Sequence, residues 1–315
     1  MNPILKAALL SWGWRIDVII VLALAGTIYT RGWWVLRRRT AQVRNWSKRR
    51  PGLFRRQLAV PEHLVLYWLG IFFIGLALLS PIDVLGEQLF LMHMVQHLLL
   101  VMVAPPLLLL ANPMAVMLWG LPGKGRYVAG GVVGRLLHRD SATRRRIRQV
   151  TQPGIVWMLW AVMVFGWHDP GAYNAALRSE LVHDVEHLTF FVAGMLFWWH
   201  VTGAGPRIHP GFSQVGRIAF TLAAIPPNML TGVVLAFARA PVYSYYESVP
   251  RLWGISVMTD QQLGGIIMWI PGSMMYLIAA LILIAGLLHE EERKPVMSET
   301  QWGSDETMRA PGGDL

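Results

Sequence analysis

The sequence predicts an all-α, polytopic membrane bundle of about seven transmembrane helices, with the N-terminus outside and the C-terminus in the cytoplasm. Three observations predict it. Hydrophobic residues make up 54% of the 315 and charged residues only 15%, against about 25% charged in an ordinary soluble domain. There are 15 Trp, a residue that concentrates where a bilayer meets water. The apolar residues also gather into separate stretches, each near the ~20 residues that a helix needs to cross hydrocarbon.

In chain order the stretches run Ile16–Trp34, His63–Leu79, Gln88–Ala111, Pro153–Trp167, Leu181–Val201, Gln214–Ala238 and Leu263–Leu288. Lipid offers the backbone no hydrogen bonds, so helix is the expected form at these lengths. The fourth stretch is the shortest. Residues Met1 to Arg15 lack a signal-peptide pattern, because few charges precede the first apolar run and strong basicity follows it. That run is therefore expected to remain as a helix. Pro105–Pro106, Pro226–Pro227 and Pro271–Gly272 fall inside membrane segments, where they imply kinks or, more pointedly, a pocket at their level.

Lys and Arg set the orientation. The first loop carries Arg37, Arg38, Arg39, Arg44, Lys48, Arg49 and Arg50 among its cations, and the third carries Lys124, Arg126, Arg135, Arg139 and Arg144 to Arg146. The second loop (80–87) has no cation, the fourth has Arg178 alone and the sixth only Arg239 and Arg251. Positive-inside bias then puts the first, third and fifth loops in the cytoplasm. The formal charge of +10 is thus a mark of topology, and membrane lipid rather than nucleic acid is the expected partner. Residues 1–289 read as one membrane domain. The polar stretch 290–315 is expected to be a disordered cytoplasmic tail.

The chain has no Cys, which excludes disulfides, zinc knuckles and thiolate copper sites. A transition metal would have to be held by His, Met or carboxylate. The ten His divide by topology. His63, His138, His200, His209 and His289 lie toward the cytoplasm, whereas His93, His97, His168, His183 and His187 fall at or near the outer side. Four of the latter form two i,i+4 pairs, His93 with His97 and His183 with His187, and such residues share a helix face with Cβ atoms about 5–6 Å apart.

Ionisable side chains in a membrane are costly and face an interior or cavity. A lone His is commonly a hydrogen-bonded packing residue, as expected of His63 and His200. Two pairs and His168 converging on one leaflet point instead to a metal or haem. Glu186 and Asp184 could orient ligand imidazoles through the second ring nitrogen, and Asp260 reaches the same side. Met92, Met94 and Met258 are nearby and soft enough for Cu(I), although each alone suits core packing. Imidazole does not choose among Zn, Cu and Fe. Haem needs two axial ligands on different helices, so doublets within one helix favour a bare ion. His183-Asp-Val-Glu186-His187 also matches a short zinc-protease pattern, His-x-x-Glu-His.

At these residues the sequence resembles a known family. His93-Met-Val-Gln-His97-Leu-Leu-Leu, followed by Ala104-Pro-Pro106-Leu-Leu-Leu-Leu-Ala-Asn-Pro113, is similar to a signature of the CtaG-like cytochrome c oxidase assembly factors. So are Trp167-His168-Asp-Pro170 with Tyr173-Asn-Ala-Ala-Leu177, Glu186-His187 with Gly194 to Trp199, and Asp260 to Gly265 with Met268-Trp269. The blocks run from about Gln88 to Trp269 in the family's order; the first two helices and the long third loop carry none.

The resemblance implies a multi-pass bacterial inner-membrane protein needed to build an active haem–copper oxidase, with a part in copper delivery and no substrate turned over. The expectation is therefore a non-enzymatic assembly factor with copper, Cu(I) favoured, as cofactor. Its ligands would be His93, His97, His183 and His187, with His168 a fifth and with Glu186 and Asp260 in support. Expected partners are oxidase subunits and periplasmic copper chaperones. A haem or zinc protein, for electron transfer or proteolysis, and a copper permease are the alternatives. The permease is disfavoured by the lack of a polar ladder through the inner halves of the helices.

Overall fold

A chain whose apolar segments lie in lipid must satisfy its backbone within each segment, and the computed structural model is accordingly helical, with no strand among the described residues. Those are residues 10–46, 59–206, 208–209 and 211–293. Large apolar side chains such as Leu24, Phe72, Val162, Leu188, Val234 and Ile282 are exposed along the bundle, as expected where the solvent is hydrocarbon.

α1 (Ile16–Trp46) and α2 (Pro61–Leu79) lead into the short α3 (Pro81–Gly86). α4 (Phe90–Leu98) passes through a π turn, Leu99–Val103, into α5 (Ala104–Leu110). α6 (Pro113–Gly120), α7 (Gly123–Leu136) and α8 (Ala142–Val150) follow. α9 (Pro153–Trp167), α10 (Pro170–Arg178) and α11 (Glu180–Thr202) come next. α12 (Gln214–Leu222), α13 (Ile225–Ala236), α14 (Tyr245–Ser248) and α15 (Val257–Glu292) are the last helices among the described residues.

Among the described residues, five helical stretches are long and apolar enough to cross a membrane, namely Ile16–Arg39, Pro61–Leu79, Phe90–Leu110, Gln214–Ala236 and Val257–Glu292. A sixth appears if α8 and α9, bent by 53°, are taken as one. Two of the seven expected spans fall short of that criterion for physical reasons. α9 alone has 15 residues, or about 22 Å at 1.5 Å per residue. α11 is long enough at 23 residues, but His183, Asp184, Glu186, His187 and His200 lower its hydropathy. The third loop is largely helical, as α7 and α8, which bury no residue. The helix α15 continues past residue 289 to Glu292, and the rest of the expected tail, 294–315, lies outside the described residues.

The prolines do different things. Pro105 has no N–H to offer Val101, its i−4 carbonyl. The chain widens into the π turn there, and the Trp198 indole donates to the Val101 oxygen instead at 2.9 Å. Gly194 on α11 permits this approach, because a Cβ would lie 2.9 Å from that same oxygen. Pro226 and Pro227 open α13, and Pro271 lies within α15. α13 and α15 cross through Gly232 and Gly265, where any side chain would meet the partner backbone, the small-residue packing usual in lipid.

Two apolar cores result. The larger includes Phe90, Trp160, Tyr173, Phe197, Tyr246 and Tyr276; the smaller joins α1, α2 and α6 around Tyr29, Tyr67 and Val116. Tyr29 stacks on Tyr67 at 3.6 Å and donates to the Ala111 carbonyl at 2.8 Å.

Candidate metal centre

α4 and α11 lie face to face, and each brings an i,i+4 histidine pair to the contact. His93 and Glu186 have no exposed surface, and His97 and His187 are buried. One atom from each of His93, His183, Glu186 and His187 lies within 4.8 Å of the others. His97 joins through His93, their Nε2 atoms 2.8 Å apart. The Glu186 oxygens stand 3.6 Å from His93 Nε2 and 3.5 Å from His97 Nε2, too long for good hydrogen bonds.

Two imidazoles that share one ion, with nitrogen–metal bonds near 2.0–2.1 Å, have ring centroids up to about 6.3 Å apart. His93–His183 at 5.2 Å, His93–His187 at 5.8 Å and His97–His187 at 5.5 Å all satisfy this. Both Glu186 oxygens, both His187 nitrogens, His183 Nε2 and the Nδ1 atoms of His93 and His97 are buried without a hydrogen-bond partner. A buried carboxylate left so is costly, and a cation among these atoms would remove that cost. The donor set fits a metal ion. A porphyrin fits poorly, since the four donor atoms are packed around a point and Tyr173 and Phe190 close on the rings at 5.0 Å and 4.7 Å.

Several elements hold α4 in place. The Asp260 carboxylate accepts from Phe90 N at 2.9 Å and Leu91 N at 3.0 Å, capping the N-terminus of α4, and it pairs with Arg251 at 2.9 Å. Asp260 thus supports His93 through the helix that carries it and not through the imidazole. Gln96 donates to Ala77 O at 2.9 Å and to Asp83 Oδ1 at 2.6 Å, tying α4 to α2 and α3. Burial pushes Asp83, outside the spanning segments, up to about 6, with the Gln96 bond opposing.

On α11, Asp184 turns from His183 to Arg15, whose guanidinium engages both carboxylate oxygens at 2.5 and 2.9 Å. A cleft of about 400 Å³ beside this pair is lined by Arg15, Asp17, Asp184, Leu188, Phe191 and His187, so one cluster imidazole borders an opening. His168 stands apart from the four-residue group. Its ring lies 6.2 Å from that of His97, and its Nδ1 donates to Val164 O at 2.7 Å.

Among the other expected residues, Glu186 sits inside the cluster as a potential ligand. Met92 and Met258 are half-buried and line neither this cleft nor the cavity that contains Met94. His200 donates to Thr151 O at 2.9 Å, the packing role expected of it. Sequence reasoning missed Gln96, Arg15 and the wall of Phe90, Tyr173, Tyr243 and Tyr246. Tyr173 and Tyr246 share a hydroxyl–hydroxyl bond of 3.1 Å, and Tyr246 donates to Gly86 O at 2.9 Å. Gln96 had a signal, as a polar residue one position from His97 in an apolar run.

A model of the cytochrome c oxidase caa3 assembly factor family (Caa3_CtaG) matches residues 27–290. The chain is 26% identical over 232 residues to uncharacterized proteins of Mycobacterium bovis and Mycobacterium tuberculosis, covering 72% of this chain and 34% of each relative. An uncharacterized protein of Mycobacterium leprae is 25% identical over 225 residues, covering 70% of this chain and 33% of the relative. The chain therefore spans about a third of the length of these relatives. No solved structure matches it.

Proposed function

The chain belongs to the cytochrome c oxidase caa3 assembly factor family, and from that premise we propose that it carries copper to a haem–copper oxidase in the bacterial cytoplasmic membrane. In this reading the chain crosses the membrane seven times, with α11 and the α8–α9 pair counted as spans. The N-terminus is outside and the His/Glu cluster opens toward the periplasm. The protein is not an enzyme; copper is its cargo, taken from a periplasmic copper chaperone and passed to an apo-oxidase subunit beside it.

The observation that carries the proposal is Glu186, a fully buried carboxylate without a hydrogen bond, set among imidazoles from two helices. His93, His97, His183 and His187 would bind the ion, and Glu186 would offset one unit of its charge. Histidine and carboxylate donors hold copper less tenaciously than thiolates, which suits a protein that must release it. The cleft at His187 would serve as the route in and out, with the Arg15–Asp184 pair at its rim.

The carboxylate also favours a second reading, a resident Zn(II), because zinc accepts His and Glu together. One experiment separates these. The full chain is purified, its metals are counted and its absorbance is recorded, beside a variant with His93, His97, His183 and His187 all changed to Ala. Copper lost in the variant, together with failed oxidase maturation in cells, supports delivery. Zinc in place of copper supports the second reading, and normal maturation with the variant rules out both delivery and the cluster's part in it.

A further inference from the structure

A second cavity shares His97 with the cluster but none of His93, His183, Glu186 or His187. Its volume is about 40 Å³, enough for an ion with a water or two. Met94, Met102 and Met268 line it, together with His97 and His168, and all three methionines are buried. It lies where the proline-broken helices meet, with Val101 from the π turn and Asn228, one residue past Pro227, in its wall.

The protonation of His168 follows from its partner. A carbonyl can only accept, so Nδ1 must carry the hydrogen donated to Val164 O. The neutral ring then has its lone pair on Nε2, on the far side, and that atom is buried without a partner. A backbone carbonyl on one nitrogen and a vacant lone pair on the other is how ligand imidazoles are held. His97 Nδ1 is likewise buried and unpartnered. The two rings stand 6.2 Å apart, inside the limit of about 6.3 Å for imidazoles sharing an ion.

We propose that this cavity is a second metal site, separate from the His/Glu cluster, that holds a soft monovalent ion, Cu(I) or its mimic Ag(I). His168 and His97 supply nitrogen, and Met94, Met102 and Met268 supply thioether sulfur. Thioether selects Cu(I) over Zn(II) and Cu(II). Charge argues the same way, because no carboxylate lines the cavity and a divalent ion in a neutral, low-dielectric site is far costlier than a monovalent one. The two sites thus differ in hardness and touch through His97, which lets an ion pass between them by exchanging ligands on one ring. The cavity site does not depend on the cluster binding copper.

The test loads the full chain with Cu(I) under anaerobic reducing conditions, then counts copper and reads its ligands by X-ray absorption. Three proteins are compared: wild type, Met94→Leu/Met102→Leu/Met268→Leu, and His183→Ala/His187→Ala. Leu for Met conserves volume. Sulfur should appear in the copper shell of wild type and of the His variant. The Leu variant should lose it with one equivalent of Cu(I), while its Zn(II) binding stays unchanged.

A wild-type shell of nitrogen and oxygen alone overturns the site, as does undiminished Cu(I) in the Leu variant. If that variant fails to fold, which loss of Zn(II) binding would reveal, the sulfur signal of wild type and of Met268→Leu alone decides. Sulfur-bound copper that survives in a His variant unable to bind a second metal upholds both sites. Copper lost only in the Leu variant upholds the cavity and refutes the cluster.

Discussion

If the cluster holds a metal as proposed, Glu186 is where metal binding and stability pull in opposite directions. As a buried carboxylate without hydrogen bonds it burdens the metal-free fold, and as a ligand it would neutralise part of the ion's charge. Glu186→Gln should therefore weaken metal binding on the order of 10–100-fold while raising metal-free stability by about 1–3 kcal/mol. Competitive metal titration and melting of the metal-free protein check the two halves, and a variant that lost both would mark Glu186 as purely structural. Asp83 offers a pH test. Its folded value of about 6 exceeds the ordinary 3.8, so the folded state holds the proton more tightly. Its contribution is full below pH 4 and is lost as pH rises through 6. Asp83→Asn stays neutral and can still accept from Gln96. The stability of wild type relative to this variant should fall by about 1–2 kcal/mol between pH 4 and pH 7, after discounting for partial solvent access. Unfolding at several pH values would show it, and a flat difference would contradict it.

At the scale of elements, the histidine helix is held from its N-terminus. Asp260 occupies two of the free N–H groups at the start of α4, and Arg251 balances its charge. Asp260→Asn removes the countercharge of Arg251, which keeps its bonds to backbone carbonyls, and weakens the cap. It should cost about 1–2 kcal/mol and loosen metal binding through His93. Denaturation and metal titration of one sample should therefore show both losses; intact metal affinity would mean that α4 is positioned by Gln96 instead. The π turn after His97 was not legible in the sequence. Its cause, Pro105, is plain there, but nothing near it names Trp198, 97 residues away, as the donor to the freed carbonyl. The i,i+4 spacing of each pair was legible because helix geometry alone puts such residues on one face.

For the whole molecule, sidedness is the open quantity that experiment can settle directly. The sequence has no Cys, so single cysteines can be read without background. Glu247→Cys, exposed in the sixth loop, should react with a membrane-impermeant maleimide in intact spheroplasts. Asp140→Cys, exposed in the third, should react only after lysis. The reverse pattern would put the cluster toward the cytoplasm and undo periplasmic delivery. Span number also belongs to this scale. The polar residues His183, Asp184, Glu186, His187 and His200 are what keep α11 out of the strictly apolar set.

Composition and spacing within single helices were enough for helical membrane residence, the family, and the two i,i+4 histidine pairs. Only the tertiary structure decided which helices face each other. It drew Glu186 in among the imidazoles, sent Asp184 to Arg15 and Asp260 to the end of α4, and set His168 on a different cavity with three methionines. Those outcomes depend on side chains brought together from segments distant in the chain, and no local period encodes which distant backbone a carboxylate will reach.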